Sequence, residues 1–279
     1  MMLPTAPIVD THCHLDYIER QGREENIPHS DAGHVLSRAM AEGVEFIINP
    51  CVSPEYYDQV LKIAEAHDNV YMAVAIHPTD VSDTLKYPDW QSRIRHLLEH
   101  PKVVAIGETG LDYYWSTEHI DLQKQCLSMF LKLGVEFDKP VILHDRNVRE
   151  GDASGLNSHE DILSLVKSAP GVRGIMHCFS GDADFALRMI EAGFYISFAG
   201  NITFKKATDL QAAATVVPLE KILVETDSPF LSPMPFRGKM NEPARVRYVV
   251  EKIAELKNLS YEEVALATTR NAKSVFGIV

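Results

Sequence analysis

The residues best suited to chemistry begin at His12-Cys13-His14, directly behind the apolar run Ile8-Val9. In an extended chain side chains alternate across the backbone, so His12 and His14 share one face and Cys13 takes the other. Two imidazoles held side by side are an efficient start to a divalent-metal site. A single His-x-His pair is as easily two surface histidines. Recurrence argues for the metal: Glu108, His144, His177 and Asp227 each stand just past another β-branched or apolar run. Four imidazoles and two carboxylates exceed what one tetrahedral zinc takes from a protein, so the set points to two divalent ions. Such a set supports hydrolysis by metal-activated water.

The elements that must bring these residues together are legible as alternating patterns. Short strands are expected at Ile8–Asp10, Val44–Asn49, Val70–Ala75, Val103–Gly107, Val141–Leu143, Gly174–Met176, Phe194–Ser197 and Ile222–Val224, with helical stretches in every gap. Strands alternating with helices imply βαβ units and a parallel sheet. Eight of them predict an α/β fold of the TIM-type (β/α)8 barrel, in which the carboxyl ends of all strands converge on one mouth. No G-x-G-x-x-G follows the first strand, which removes the main cue for a dinucleotide fold. Pro243–Lys257 and Ser260–Phe276 read as closing helices, the second started by the capping box Ser260-Tyr261-Glu262-Glu263. A single domain over residues 1–279 is expected. Two long polar loops, Glu19–Ser30 and Asn147–His159, are placed at the catalytic face.

Composition bounds the reading further. The chain has 279 residues, 46% of them hydrophobic, which excludes a disordered or fibrous protein. Its 27 Lys and Arg against 39 Asp and Glu give a net charge of −12, so a whole-molecule basic footprint for nucleic acid is absent. Cys13, Cys51, Cys126 and Cys178 form no C-x-x-C pair, which predicts free thiols in a cytoplasmic protein. The start lacks the pattern of a signal peptide, and no apolar run approaches the ~20 residues of a membrane span.

Taken together, Asp10-Thr11-His12-Cys13-His14-Leu15-Asp16, Ile106-Gly107-Glu108-Thr109-Gly110-Leu111-Asp112, His144-Asp145-Arg146, His177-Cys178-Phe179-Ser180-Gly181 and Glu225-Thr226-Asp227-Ser228-Pro229 resemble the TatD-like metal-dependent hydrolases of the amidohydrolase superfamily. Ala75-Ile76-His77-Pro78, Phe236–Pro243 and Thr268–Ala272 extend the match over essentially the whole chain. The resemblance implies hydrolysis of phosphodiester bonds in DNA, most often from the 3′ end. It also implies that His12, His14 and Asp227 hold one metal and His144 and His177 the other, with Glu108 bridging. Asp227 then doubles as catalytic base. Four imidazoles suit zinc, manganese or iron better than magnesium, whereas the family resemblance implies magnesium or manganese, so the identity of the two ions, magnesium, manganese or zinc, stays open.

Substrate contacts are expected from His77, Arg146, Arg237 and Asn241, with Lys239 a further cation and Tyr113, Tyr114 and Trp115 a stacking wall for bases. Cys13 and Cys178 are expected in the core, and Glu225 is expected to support a ligand rather than be one. Relatives carry a short H-x-R-x-A-x-x-D turn where this chain has Arg146-Asn147-Val148-Arg149 and a polar insertion over Glu150–His159. The leading expectation is a 3′-5′ exonuclease acting as a monomer on single-stranded DNA. A hydrolase of ester or amide bonds, such as a deacylase or lactonase, is the alternative on the same two metals. A metal-binding interaction protein without turnover is weakened because all six ligands are intact.

Overall fold

The computed structural model describes residues 6–115, 117–149 and 151–279, with the side chains of residues 83–85 excepted. The first five residues and Glu150, where the polar insertion was expected to begin, lie outside the described residues. Eight strands run β1 (Ile8–Asp10), β2 (Val44–Cys51), β3 (Val70–Val74), β4 (Val103–Asp112), β5 (Val141–Arg146), β6 (Gly174–Met176), β7 (Phe194–Phe198) and β8 (Ile222–Val224). Each pairs in parallel with the next, in chain order, to make one sheet. The gaps carry α1 (Leu15–Glu24), α2 (Ala32–Ala41), α3 (Tyr57–Ala66), α4 (Trp90–Leu98), α5 (Ile120–Glu136), α6 (Ser158–Lys167), α7 (Ala183–Glu191) and α8 (Thr208–Val216). Two further helices, α9 (Val246–Lys257) and α10 (Tyr261–Phe276), follow β8.

No regular ladder joins β8 to β1, and the barrel is closed just beyond them instead. Thr11 N donates to Val224 O at 3.2 Å, Asp227 N to His12 O at 2.9 Å and His14 N to Ser228 O at 2.8 Å. The buried Asp10 carboxylate ties the same seam by accepting from Thr226 N at 2.8 Å and Thr226 Oγ1 at 2.5 Å. The seam therefore passes through both His12 and Asp227. Closing the barrel and positioning the two residues are one act.

Alternation divides the strand residues into two cores. Val9, Phe46, Ile48, Ala73, Ala105, Ile142, Ile175 and Leu223 face inward and pack with Ala272, Val275 and Phe276 of α10. Ile8, Ile47, Val74, Ile106, Leu143 and Val224 face outward against the helices. Each fully buried Val, Leu, Ile or Phe contributes roughly 1.5–3 kcal/mol. Helix starts follow from short polar caps: Asp31 accepts from His34 N, Asn157 from Glu160 N and Asp182 from Phe185 N. Ser260 and Glu263 form the full capping box anticipated for α10.

Three sequence expectations are corrected. β4 does not stop at Gly107 and β5 does not stop at Leu143, so Glu108 and His144 lie inside strands. The reason is Gly110, paired with His144: a Cβ there would fall 1.9 Å from the His144 carbonyl oxygen, so glycine continues this strand where it usually ends one. The expected loop Glu19–Ser30 is helical through Glu24. Asn49 anchors that helix, accepting from Leu15 N at 2.9 Å and donating to Asp16 at 3.2 Å. Of the second expected loop, only the stretch before α6 is irregular.

Candidate metal centre

Past β1 the chain bridges Ser228 through Cys13, whose side chain is buried in the outer core. His12 and His14 turn the opposite way and bring their Nε2 atoms to 3.2 Å. Asp227 Oδ1 approaches three rings, at 3.9 Å from His12 Nε2, 3.7 Å from His14 Nε2 and 3.8 Å from His177 Nε2. Glu108 divides its two oxygens. Oε2 lies 3.3 Å from His12 Nε2, while Oε1 lies 2.7 Å from His144 Nδ1, 3.4 Å from His77 Nε2 and 3.5 Å from His177 Nε2.

These separations are informative. Two ligand atoms each ~2.0–2.1 Å from one tetrahedral ion stand roughly 3.4 Å apart, too far for a hydrogen bond. Most of the spacings above, 3.3–3.9 Å, have that character, while the 3.2 Å between His12 and His14 is also within hydrogen-bond reach. The donors form the triads His12–His14–Asp227, His12–Glu108–His177 and His77–Glu108–His144, each with its ligand atoms within 4.8 Å of one another. Imidazole and carboxylate are the donor types that zinc or manganese accepts. The residues fit divalent metal. All six sequence-predicted ligands meet here, and His77, expected only as a substrate contact, stands among them.

Comparison with known proteins agrees with this geometry. The model of the TatD-related DNase family matches residues 9–277. This chain belongs to that family. YabD of Bacillus subtilis, described as a metal-dependent hydrolase, is 39% identical over 274 residues, spanning 97% of this chain and 99% of that protein. YcfH of Escherichia coli K12, described likewise, is 38% identical over 273 residues, spanning 97% and 96%. The crystal structure of YjjV, a TatD homologue from the same organism, superposes with a TM-score of 0.82 at 31% identity and covers 98% of both chains. The protein is a metal-dependent hydrolase on a TIM barrel.

In this TatD-family centre every ligand ring is held by a second carboxylate or by burial. Glu225 Oε1 sits 2.7 Å from His177 Nδ1, and the same carboxylate accepts from Cys178 N at 2.7 Å and Ser197 Oγ at 2.6 Å. This is the supporting role expected for it. Asp112 Oδ2 lies 3.0 Å from His144 Nε2 and its Oδ1 accepts from the backbone of Tyr114 and Trp115. The sequence reading missed Asp112, although the signal existed: four residues beyond Glu108 on a strand is the same face.

Protons distribute unevenly over the metal-free cluster. Burial by itself lowers the rings of His12, His14, His144 and His177, and for His12 it wins, aided by the neighbouring His177 charge, to give a pKa of about 3. Burial lowers His14 too. For His177 the opposing charges of Glu225 and Glu108 overcome burial and raise it to about 10, and Asp112 and Glu108 raise His144 to about 9. Burial would raise Glu108, yet His177 and His77 hold it well below the usual carboxylate range. Burial pushes Asp227 up to about 7 against the pull of His177.

Above the cluster opens a cavity of about 880 Å³ whose lining includes His14, His77, Glu108, His144, His177 and Asp227. Tyr17, Phe230, Trp115 and Arg146 also line it. Arg146 stacks its guanidinium over Tyr114 at 4.1 Å and Trp115 at 5.3 Å. The other expected substrate contacts are not brought there. Arg237 lies exposed over Phe204 at 4.6 Å, and Lys239 is exposed on the same loop. Asn241 is fully buried, donating to Thr226 O and accepting from Glu242 N, both at 3.0 Å, so its amide braces the loop after β8. Tyr113 is buried with its hydroxyl donating to Asp161 at 2.6 Å, which removes it from the expected stacking wall. Cys178 is corrected as well. β6 ends at Met176, Cys178 has a φ of 43°, and its half-buried side chain lines the cavity rather than the core.

Proposed function

We propose that the chain is a phosphodiesterase that degrades single-stranded DNA from its 3′ end, using two divalent ions. The observation that carries this reading is Arg146. It is the one permanent cation among the described lining residues of the cavity, it is held by two aromatic rings, and no described carboxylate pairs with it. A guanidinium so placed is free to grip a phosphoryl oxygen in bidentate fashion. His12, His14 and Asp227 would hold one ion and His144 and His177 the other, with His77 beside them. Glu108 offers one oxygen to each set. When bound, the ions supply charge neutralisation at the phosphoryl group and a more acidic water.

The remaining work falls to the chain's own groups. Asp227 turns Oδ1 to the rings, leaving Oδ2 to take a proton from the attacking water and return it to the leaving oxygen. Glu225 and Asp112 keep His177 and His144 in fixed orientation. Trp115, 63% exposed at the rim, offers a face to a base. Hydrolysis of a neutral ester or amide is the second reading, favoured by Asp80, Asp112 and Asp145 in the same lining and by the net charge of −12.

The test is a gel assay on 3′- and 5′-labelled single-stranded DNA, with metal-stripped protein re-supplied with magnesium, manganese or zinc. The expected result is a ladder shortening from the 3′ end that needs metal and is absent in Asp227→Asn. Intact DNA under every metal, with turnover of ester or amide panels, would replace this reading by the second.

A further inference from the structure

Outside the metal cavity, and sharing Trp115 with it, lies a second cavity of about 470 Å³. Its described lining is Tyr113, Tyr114, Trp115, Thr117, Glu118, Arg149 and Asp152. Arg149 lies in the connection between β5 and α6. Asp152 N donates to Arg149 O at 3.0 Å. The Arg149 guanidinium stands over the Tyr114 ring at 4.7 Å. Arg146, on the main-cavity side, stands over the same ring at 4.1 Å. Tyr114 thus carries both guanidiniums, and neither pairs with a carboxylate among the described residues.

We propose that this outer cavity is an extension subsite for the substrate strand. Arg149 would take a phosphate beyond the one held at Arg146, and Trp115 would stack a base between the two cavities. The inference rests on the phosphodiesterase reading and deepens it. Spacing supports it: the distances 4.1 and 4.7 Å to one ring cap the separation of the two guanidinium carbons at about 9 Å. That cap leaves the two cations close enough to face neighbouring phosphates of a single strand. An exposed indole joined to stacked arginines is the combination that binds single strands without reading sequence.

Two readouts test it. The first compares kcat/KM on an eight-nucleotide strand with kcat/KM on bis(p-nitrophenyl) phosphate, which is too small to leave the metal cavity. For Arg149→Ala the ratio is expected to fall about tenfold, through KM rather than kcat, and Arg149→Lys is expected to restore part of it. The second needs no turnover. The chain has two tryptophans, and Trp90 is only 7% exposed, so quenching of tryptophan fluorescence by oligothymidine reports Trp115. Quenching is expected in the parent, weaker binding in Arg149→Ala, and no quenching in Trp115→Phe. An unchanged ratio with unchanged binding overturns the subsite while leaving the phosphodiesterase reading intact. Absence of any phosphodiester cleavage, with Arg149-dependent quenching preserved, overturns the functional reading and with it the role of this cavity as a substrate subsite, leaving only strand binding at Arg149.

Discussion

Glu225 stands behind the candidate metal centre, where it can orient a ring that faces the cluster. It faces His177 Nδ1 at 2.7 Å and is itself fixed by Ser197 and the Cys178 amide, so the imidazole has one orientation and enhanced basicity. Glu225→Gln is expected to weaken metal binding by about 10–100-fold with the fold retained, read by competition against a metal indicator dye. Unchanged affinity would show that His177 is held by packing alone. The same neighbours set the pH dependence. His177 and His144 have folded-state pKa values raised above 6.5, to about 10 and about 9. In the metal-free protein their contribution to stability is fully present below about pH 6.5 and is lost as pH rises through 9 and 10. A metal must displace those protons, so its affinity is expected to climb from pH 7 towards 10. Calorimetry in buffers of different ionisation heat should detect proton release at pH 7 and much less at pH 10. A flat profile would mean that the rings are neutral before metal arrives.

Among the elements, β4 and β5 do the most positioning, because Glu108, Asp112, His144 and Arg146 all lie on them. Their close approach depends on Gly110, where a side chain would collide with the His144 carbonyl. Gly110→Ala is therefore expected to cost about 3 kcal/mol or more, through the collision and through its φ of 153°. It should also loosen metal binding, because the strand pairing that carries His144 must shift. Chemical denaturation and metal titration would check the two effects, and a stable variant with full affinity would refute the link. This pair of strands also marks where the sequence stopped being readable. The six candidate ligands were legible because each follows an apolar run in a chain that alternates strand and helix. Strand ends were not, since glycine reads locally as a stop and its use against His144 depends on a residue 34 positions away. Asn241 misled for a related reason: an amide in a loop looks available until the fold buries it against Thr226. Cys178 misled because alternation was extended past the end of β6.

For the whole molecule, the ligands come from both sides of the barrel seam and from β4, β5 and the turn after β6, so bound metal joins elements that the core already holds. The inner and outer apolar clusters are continuous without it. The barrel should therefore survive a chelator, unlike small domains whose folding free energy is metal-binding free energy. Stability must still rise on loading, because metal binds the folded centre and not the unfolded chain. At a free metal concentration 100 times Kd the gain is about 2.7 kcal/mol. For a chain of this size that corresponds to an increase in Tm of roughly 5 °C. Far-ultraviolet circular dichroism should be unchanged by chelation while calorimetry records the lower Tm. The shift should also shrink in Asp227→Asn and Glu108→Gln, which remove donors, but not in Arg149→Ala, which lies outside the centre. A collapse of helical signal on chelation would instead mean that the seam between β8 and β1 is closed by the metal and not by Asp10 and Thr226.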